Sequence, residues 1–145
     1  MLEVWGRKNA NQVIQVLWTL SELGIEYQRY SVGVSSGDLD TDEYITLNPN
    51  SKIPTIRDNG FVLWESHAII RYLAREYGLG TLYPTDSKQA ALSDQWMTWS
   101  TDSFRAHFSQ SFGNSCGPRR LSEIMTKLPK WRRKVLIFCL PLKAI

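Results

Sequence analysis

A proline stands inside an apolar, β-type run of this chain. The run is "KIPTI" (52–56), in which Pro54 lies between Ile53 and Thr55. An Asn-Pro turn precedes it and an Asp-Asn-Gly turn follows it. Proline cannot donate a hydrogen bond to a strand ladder, so it is confined to strand starts, edges and bulges. We infer that something other than sheet pairing uses the backbone at this position.

The residues before this run predict a β-α-β unit. "LEVW" (2–5) is typical of a strand, and "IEYQRYSV" (25–32) alternates well enough for a second one. Between them, apolar residues recur with helical spacing and stop before Gly24, which predicts an amphipathic helix. Its apolar positions are Val13, Val16, Leu17, Leu20 and Leu23. A β-α-β order favours two parallel strands with a right-handed crossover.

The residues around and after Pro54 predict a short helix, a hairpin and a longer helix. "DEYITLN" (42–48) fits a short helix that Asn48-Pro49 ends. Asn59-Gly60 between two β-type runs, "PTIRD" and "FVLW", is a strong hairpin signal. Ser66 is predicted to cap the following helix, and Gly78 to end it. The apolar stripe of that helix is Ile69, Ile70, Tyr72, Leu73 and Tyr77.

This order predicts an α/β fold, a thioredoxin-like β-α-β-(α)-β-β-α domain followed by an incomplete all-helical C-terminal region. We expect the first domain at 1–82, the start of a helical domain at 83–115, and a basic tail at 116–145. A long helix is predicted from about Ser87. It would bury Leu92, Trp96, Trp99 and Phe104.

Composition narrows the class of protein. A chain with 43% hydrophobic and 21% charged residues is globular rather than disordered. We see no secretory signal and no run of about 18 apolar residues that could span a membrane, so we expect a cytoplasmic protein. Cys116 and Cys139 do not form a CxxC motif, which leaves a disulfide framework or a metal site poorly supported.

The charge reverses near residue 116. Residues 1–115 carry 9 basic and 13 acidic side chains, whereas residues 116–145 carry 8 basic side chains and Glu123 alone. The segment "KWRRK" (130–134) and the apolar run after it could contact a membrane surface or nucleic acid. We favour the other interpretation, that the tail was not selected as a domain, as after a frameshift or truncation. We therefore expect neither a nucleic-acid nor a membrane partner.

Three segments are candidates for chemistry, and each also has a plain structural explanation. The bond Ile53-Pro54, held cis, would expose the Ile53 backbone to a peptide-like ligand; the alternative is that Pro54 marks an edge strand. Glu65-Ser66 at a helix start could bind an amino group and a carboxylate, or could be an ordinary cap. The loop "GRKNANQV" (6–13) could stabilise a thiolate, or could be a polar loop with an Asn cap.

The sequence resembles the cytosolic glutathione S-transferases, specifically bacterial and theta-like members, over residues 1 to about 110. The motifs that carry the resemblance are "VLWTLSELGIEYQRY", "YITLNPNSKIPTI", "NGFVLWESHAIIRYLAREYG" and "LYPTDS". It implies a glutathione S-transferase, in which the thiolate of glutathione, the co-substrate, attacks electrophilic small molecules. A homodimer is one assembly that the resemblance allows.

The resemblance also implies roles for individual residues. Ile53, beside Pro54, would pair with the cysteinyl unit of glutathione. Glu65 would bind the α-amino group of the γ-glutamyl unit, and Ser66 would bind its carboxylate. Lys52 would face the glycyl carboxylate, and Ser51 lines the same segment.

One position departs from the family pattern. Theta-like relatives place a serine where Ala10 aligns, and alanine has no donor for a thiolate. Asn11, which is closer to the helix start, is the first candidate for the missing donor, and Asn9 is the second. Two other hypotheses therefore stay open: a non-catalytic glutathione-binding or interaction module, and a truncated product with little activity.

Overall fold

The computed structural model of the protein describes residues 1–33 and 38–104. These residues divide into two compact units, Met1–Tyr83 and a unit that begins at Pro84. The predicted segment 116–145 lies outside the described residues. Within the described part of the chain, no helix is both long and apolar enough to cross a membrane.

The first unit contains the predicted order of elements. Strand β1 is Leu2–Trp5, helix α1 is Asn11–Glu22, and strand β2 is Tyr27–Tyr30. A 3-10 turn at Asp38–Asp40 leads into α2, Asp42–Leu47. Strands β3, Thr55–Asp58, and β4, Phe61–Trp64, precede α3, Ser66–Tyr77. The sheet has the order β2-β1-β3-β4, with β1 and β2 parallel and the other pairs antiparallel. The thioredoxin-like fold is thus confirmed.

The predicted helix-ending and turn residues have the expected backbone with one exception. Gly24 follows α1 with φ +65°, and Asn59 and Gly60 both have positive φ between β3 and β4, as a two-residue hairpin turn needs. Gly78 caps α3 with φ −132°, so the left-handed conformation common after helices is absent there. A Cβ on Gly78 would instead be crowded on several sides, at 2.7 Å from Leu23 Cδ2, 3.0 Å from Leu82 Cβ and 3.1 Å from the Ala74 carbonyl oxygen.

The core of the first unit lies between the sheet and the mutually packed helices α1 and α3. Six of the ten apolar positions predicted for α1 and α3 are buried. Leu17, Leu23 and Tyr72 are half-buried, and Tyr77 is 44% exposed. The hydroxyls of Tyr72 and Tyr77 both donate to the Asp58 carboxylate. The fully buried apolar side chains include Val4, Val13, Val16, Leu20, Ile56, Ile69 and Leu73.

The second unit begins with α4, Ser87–Trp99, followed by a π-helical turn, Ser100–Phe104. Asp86 caps α4 by accepting a hydrogen bond from the Gln89 N–H at 3.0 Å. The predicted buried face was wrong: Leu92, Trp96 and Trp99 are only half-buried. The side chain of Phe104 lies outside the description. The buried stripe starts one residue later along the helix, at Ser93, Met97 and Ser100.

Candidate functional site

The register of the sheet brings the three candidate segments to one end. Trp5, the last residue of β1, pairs with Thr55, the first residue of β3. Thr55 also pairs with Trp64, the last residue of β4. Because both pairs are antiparallel, the residues just beyond them emerge side by side. The loop after β1, the segment before β3 and the residues after β4 therefore meet at this edge of the sheet.

The segment before β3 contains the cis peptide bond Ile53-Pro54, as expected for the fold. Pro54 is buried, Ile53 and Ser51 are partly buried, and Lys52 is exposed. Ser51 has φ +50°, a left-handed conformation that is uncommon for serine. The backbone N–H and C=O of Ile53 have no hydrogen-bond partner among the described residues. Both groups are available to a ligand.

A buried polar network fixes this segment from behind, and sequence reasoning missed it. The Lys52 carbonyl accepts hydrogen bonds from the Tyr44 hydroxyl at 2.6 Å and from Asn48 Nδ2 at 2.8 Å. Asn48 Oδ1 accepts from the Asn50 N–H at 3.0 Å, and the Asn48 carbonyl accepts from the Ser51 N–H at 3.0 Å. The sequence pattern marks Asn48 only as the residue that ends α2. The spacing between Tyr44 and Lys52 carries no local signal.

The segment after β4 leads into α3. The structure corrects the predicted N-cap of this helix. The N-cap residue is Glu65, not Ser66, and its side chain makes no capping hydrogen bond. Glu65 has φ +72° and ψ 112°, a conformation that costs a non-glycine residue about 1–3 kcal/mol. This backbone turns the chain so that Ser66 is already the first helical residue. The residue type does not indicate this turn, because glycine is the residue expected at a positive φ and this position is a glutamate.

Ser66 is only 8% exposed, yet its hydroxyl has no partner among the described residues. Its N–H belongs to the first turn of α3, where intrahelical acceptors are lacking. The positive end of the helix dipole lies at the same place. A buried hydroxyl, a backbone donor and a helix N-terminus are groups that can bind an anion, and the exposed carboxylate of Glu65 lies next to them in the chain.

The loop after β1 leads into α1 through Ala10. Ala10 is the N-cap residue, with φ −88° and ψ 129°, and no side chain caps the helix. Asn9 and Asn11 are exposed on either side of it, and neither side chain has a hydrogen-bond partner among the described residues. The alternative of an Asn-capped helix is therefore wrong. The uncapped first turn leaves backbone donors such as the Asn11 N–H for a ligand.

The same loop is held in place by β2. The Gly6 N–H donates to the Tyr30 carbonyl at 2.9 Å, and Arg29 Nη1 donates to the Gly6 carbonyl at 2.8 Å. A Cβ on Gly6 would lie 2.6 Å from Val13 Cγ2, so only glycine lets the loop approach α1 this closely. The loop is thus anchored before it reaches the site.

Within the described ranges, no cluster of three or more His, Cys, Asp or Glu side chains could hold a metal ion. The loop before α1 also contains no cysteine, so disulfide exchange through a protein thiol has no residue there to carry it. Fold and site together define a thioredoxin-like domain whose edge offers backbone and anion-binding groups to a ligand, without a redox cysteine of its own.

Comparison with known proteins identifies the family. Residues 12–76 match the family model described as "Glutathione S-transferase, N-terminal domain". Glutathione S-transferase GstB of Escherichia coli is 38% identical over 101 residues, which are 68% of this chain and 49% of that protein. Glutathione S-transferase D7 of Drosophila melanogaster is 40% identical over 88 residues, 59% of this chain and 38% of that protein. The chain spans about half the length, or less, of these curated relatives.

Solved structures of glutathione S-transferases are similar to this chain as well. A theta-class glutathione S-transferase from Xanthomonas axonopodis pv. citri, with glutathione bound, is similar with a TM-score of 0.71 and 36% identity. The match covers 92% of this chain and 62% of that chain. Glutathione transferase E6 from Drosophila melanogaster has a TM-score of 0.67 and 28% identity, with 94% and 61% covered. By its N-terminal domain, the chain belongs to the glutathione S-transferase family.

Proposed function

We propose that this protein binds glutathione at the described edge of the sheet and promotes attack of its thiolate on electrophilic small molecules. The observation that carries the proposal is the shared register of Trp5, Thr55 and Trp64, which brings three segments with unused polar groups to one place. The glutathione bound in the Xanthomonas theta-class enzyme supports the choice of ligand.

The free groups fit a tripeptide ligand. The N–H and C=O of Ile53, which have no partner in the part of the chain that the structure describes, would form a two-bond, strand-like pairing with the cysteinyl unit. The Ser66 hydroxyl and N–H would bind the γ-glutamyl carboxylate, and the Glu65 carboxylate would bind the neighbouring amino group. The exposed Lys52 would place a positive charge near the glycyl carboxylate, with Ser51 beside it.

The reaction would begin with the thiol of bound glutathione at the N-terminus of α1. A free thiol has a pKa of about 8.5, and lowering it by about 1.5 units needs about 2 kcal/mol of preferential stabilisation of the thiolate. One hydrogen bond to a charged group contributes about 1.5–3 kcal/mol. Asn11 is our first choice for that donor, and Asn9 is the second. With an aryl halide, the thiolate sulfur forms a C–S bond, and the C–halogen bond breaks to release halide.

A non-catalytic glutathione-binding module is the second candidate, and one observation favours it. Ala10 occupies the N-cap of α1 without any side-chain donor, so binding could persist without efficient activation of the thiol. Homodimerisation and a cytoplasmic location are further proposals that rest on the family alone. Light scattering on the purified chain would test the first, and fractionation of the source cells would test the second.

The first experiment compares thermal melts of the full chain with and without millimolar glutathione. A ligand at 100 times its Kd stabilises the folded state by about 2.7 kcal/mol, which gives a visible shift in Tm. The second measures thioether formation from glutathione and an aryl halide. A shift with turnover supports the transferase, and a shift without turnover supports the binding module. A cooperative melt without a shift would refute the site, whereas absence of a cooperative melt would favour the truncated product.

A further inference from the structure

We propose that Tyr44 and Asn48 are positioning residues for glutathione, because they orient the peptide between Lys52 and Ile53 so that the Ile53 N–H faces the ligand. This inference rests on the proposed function. Neither residue would touch glutathione. Both would act through the backbone of the segment before β3.

The Lys52 carbonyl oxygen is the acceptor for two separate side chains. The Lys52 C=O accepts from Tyr44 and from Asn48, at 2.6 and 2.8 Å, and so both of its acceptor positions are occupied. Each donor is anchored separately. Tyr44 lies in α2, and the backbone N–H of Asn48 donates to the Tyr44 carbonyl at 2.8 Å at the end of that helix.

The orientation of this carbonyl determines the orientation of the next N–H. The bond between Lys52 and Ile53 is trans, because the cis bond in this segment is Ile53-Pro54. In a planar trans peptide the C=O and the N–H point in opposite directions. Since the Lys52 carbonyl points inward to Tyr44 and Asn48, the Ile53 N–H points the other way, and it has no partner among the described residues.

The network has one consistent arrangement of protons. The Tyr44 hydroxyl donates to Lys52, so it accepts from the Thr55 hydroxyl at 3.0 Å. Asn48 uses its two amide protons for the Lys52 carbonyl and for Thr55 Oγ1, the latter at 3.1 Å. Every polar proton of these three side chains is therefore used. Rotating the Lys52 carbonyl away would leave two buried donors unsatisfied.

Burial makes the network resistant to exchange with water. Tyr44 is 3% exposed, Asn48 is 2% exposed and Thr55 is fully buried. Burial also raises the pKa of Tyr44 above its ordinary value, so the phenol remains a hydrogen-bond donor at neutral pH. The segment is thus fixed before any ligand arrives, which reduces the ordering that binding requires.

The test compares two tyrosine-to-phenylalanine variants of the full chain. Tyr44→Phe removes the hydroxyl that bonds to the Lys52 carbonyl. Tyr72→Phe is the matched control, because its hydroxyl donates to the Asp58 carboxylate at 2.8 Å, outside the candidate site. Kd for glutathione is measured by calorimetry, and Tm is measured without ligand. We expect Tyr44→Phe to raise Kd by about threefold to tenfold, and Tyr72→Phe to lower Tm with Kd unchanged.

A second variant keeps the test decisive if Tyr44→Phe does not fold. Asn48→Ser shortens the side chain and removes the amide donor to Lys52, while the serine oxygen can still accept the N–H two residues later. It should raise Kd, and KM for glutathione, with kcat at saturating glutathione close to wild type. An unchanged Kd in either folded variant, or an equal rise in Tyr72→Phe, would overturn the proposal. Loss of cooperative melting in both variants would assign the two residues to the fold and also overturn it.

The wild-type titration separates this inference from the proposed function. If wild type does not bind glutathione, the proposed function fails and the positioning role fails with it. If wild type binds and Tyr44→Phe binds equally well, only the positioning role fails.

Discussion

Thr55 at the start of β3 pairs with Trp64 at the end of β4 in antiparallel register. The residues next to this pair, Pro54 and Glu65, are therefore neighbours at the same end of the sheet. One belongs to the cis peptide bond, and the other starts α3 with a positive φ. This pairing makes the backbone of Ile53 and the first turn of α3 parts of a single site.

Ser66→Ala should weaken glutathione binding because it removes a buried hydroxyl that has no hydrogen-bond partner among the described residues. A hydrogen bond to a charged group contributes about 1.5–3 kcal/mol, so we expect Kd to rise by about tenfold to a hundredfold. Calorimetry on the full chain measures this. Cysteinylglycine, which lacks the γ-glutamyl unit, is the control ligand. An equal loss of affinity for both ligands would contradict the assignment of Ser66 to the γ-glutamyl carboxylate.

Glu65→Gly should stabilise the fold and weaken ligand binding at the same time. Glycine, which has no Cβ, tolerates φ +72° with ψ 112° better than glutamate does, and the present conformation costs a residue with a side chain about 1–3 kcal/mol. The loss of the carboxylate removes the partner proposed for the α-amino group. We expect a higher Tm without ligand and a higher Kd for glutathione. Glu65→Gln, which keeps the strained backbone, should weaken binding with Tm unchanged. A lower Tm for Glu65→Gly would contradict this prediction, because the relief of strain would then be smaller than the entropy that glycine adds to the unfolded chain.

Ala10→Ser should stabilise α1. Ala10 already has the extended φ and ψ of an N-cap residue, and it lacks a side-chain acceptor for the N–H groups of the first turn. A serine at an N-cap is more stabilising than alanine by about 0.5–2 kcal/mol, which urea unfolding can measure. Ala10→Gly is the control, because it changes the backbone without adding a hydroxyl. Equal stability of the serine and alanine forms would refute this account.

Asn11→Ala should raise the pKa of the glutathione thiol in the complex, because it removes the donor proposed for the thiolate. The expected shift is about 1 unit, which is about 1.4 kcal/mol. The ultraviolet absorbance of the bound thiolate, titrated against pH, measures it. Asn9→Ala serves as the comparison. A larger shift in Asn9→Ala would exchange the roles of the two residues, and no shift in either variant would leave backbone donors of α1 as the source of thiolate stabilisation.

The stability of the first unit should fall at alkaline pH through two tyrosines. The hydrogen bond to Asp58, together with burial, raises the pKa of Tyr77 to about 12. Burial and the same carboxylate raise the pKa of Tyr72 above its ordinary value. In both cases the folded state favours the neutral phenol. This stabilisation is complete below about pH 10, the pKa of an unfolded tyrosine, and is lost as pH rises toward the raised values.

Thermal melts between neutral pH and about pH 11 check this prediction. The double variant Tyr72→Phe/Tyr77→Phe should lose Tm less steeply above about pH 10. Some pH dependence should remain, since burial also raises the pKa of Tyr44. An identical slope in wild type and the double variant would show that Asp58 does not couple these tyrosines to stability.

Much of the fold could be predicted because its signals are local. Helix α1 follows from apolar spacing, the β3–β4 hairpin follows from Asn59-Gly60, and the end of α2 follows from Asn48-Pro49. Periodicity and turn chemistry act over a few residues, so the sequence displays them directly. The candidate segments around Pro54 and Glu65 follow from equally local features. These are a proline within a β-type run and an acidic residue before a predicted helix.

The remaining features depend on contacts between residues far apart in the chain, or on backbone that local preference disfavours. The order of elements, the turns and the three candidate segments follow from the sequence alone. The three-dimensional contacts are needed to establish that Glu65 is the N-cap residue, and that Tyr44 and Asn48 share the Lys52 carbonyl. They also determine which face of α4 is buried. The physical reason is that packing can impose a strained φ or satisfy a buried carbonyl from another element, and neither is encoded in local spacing.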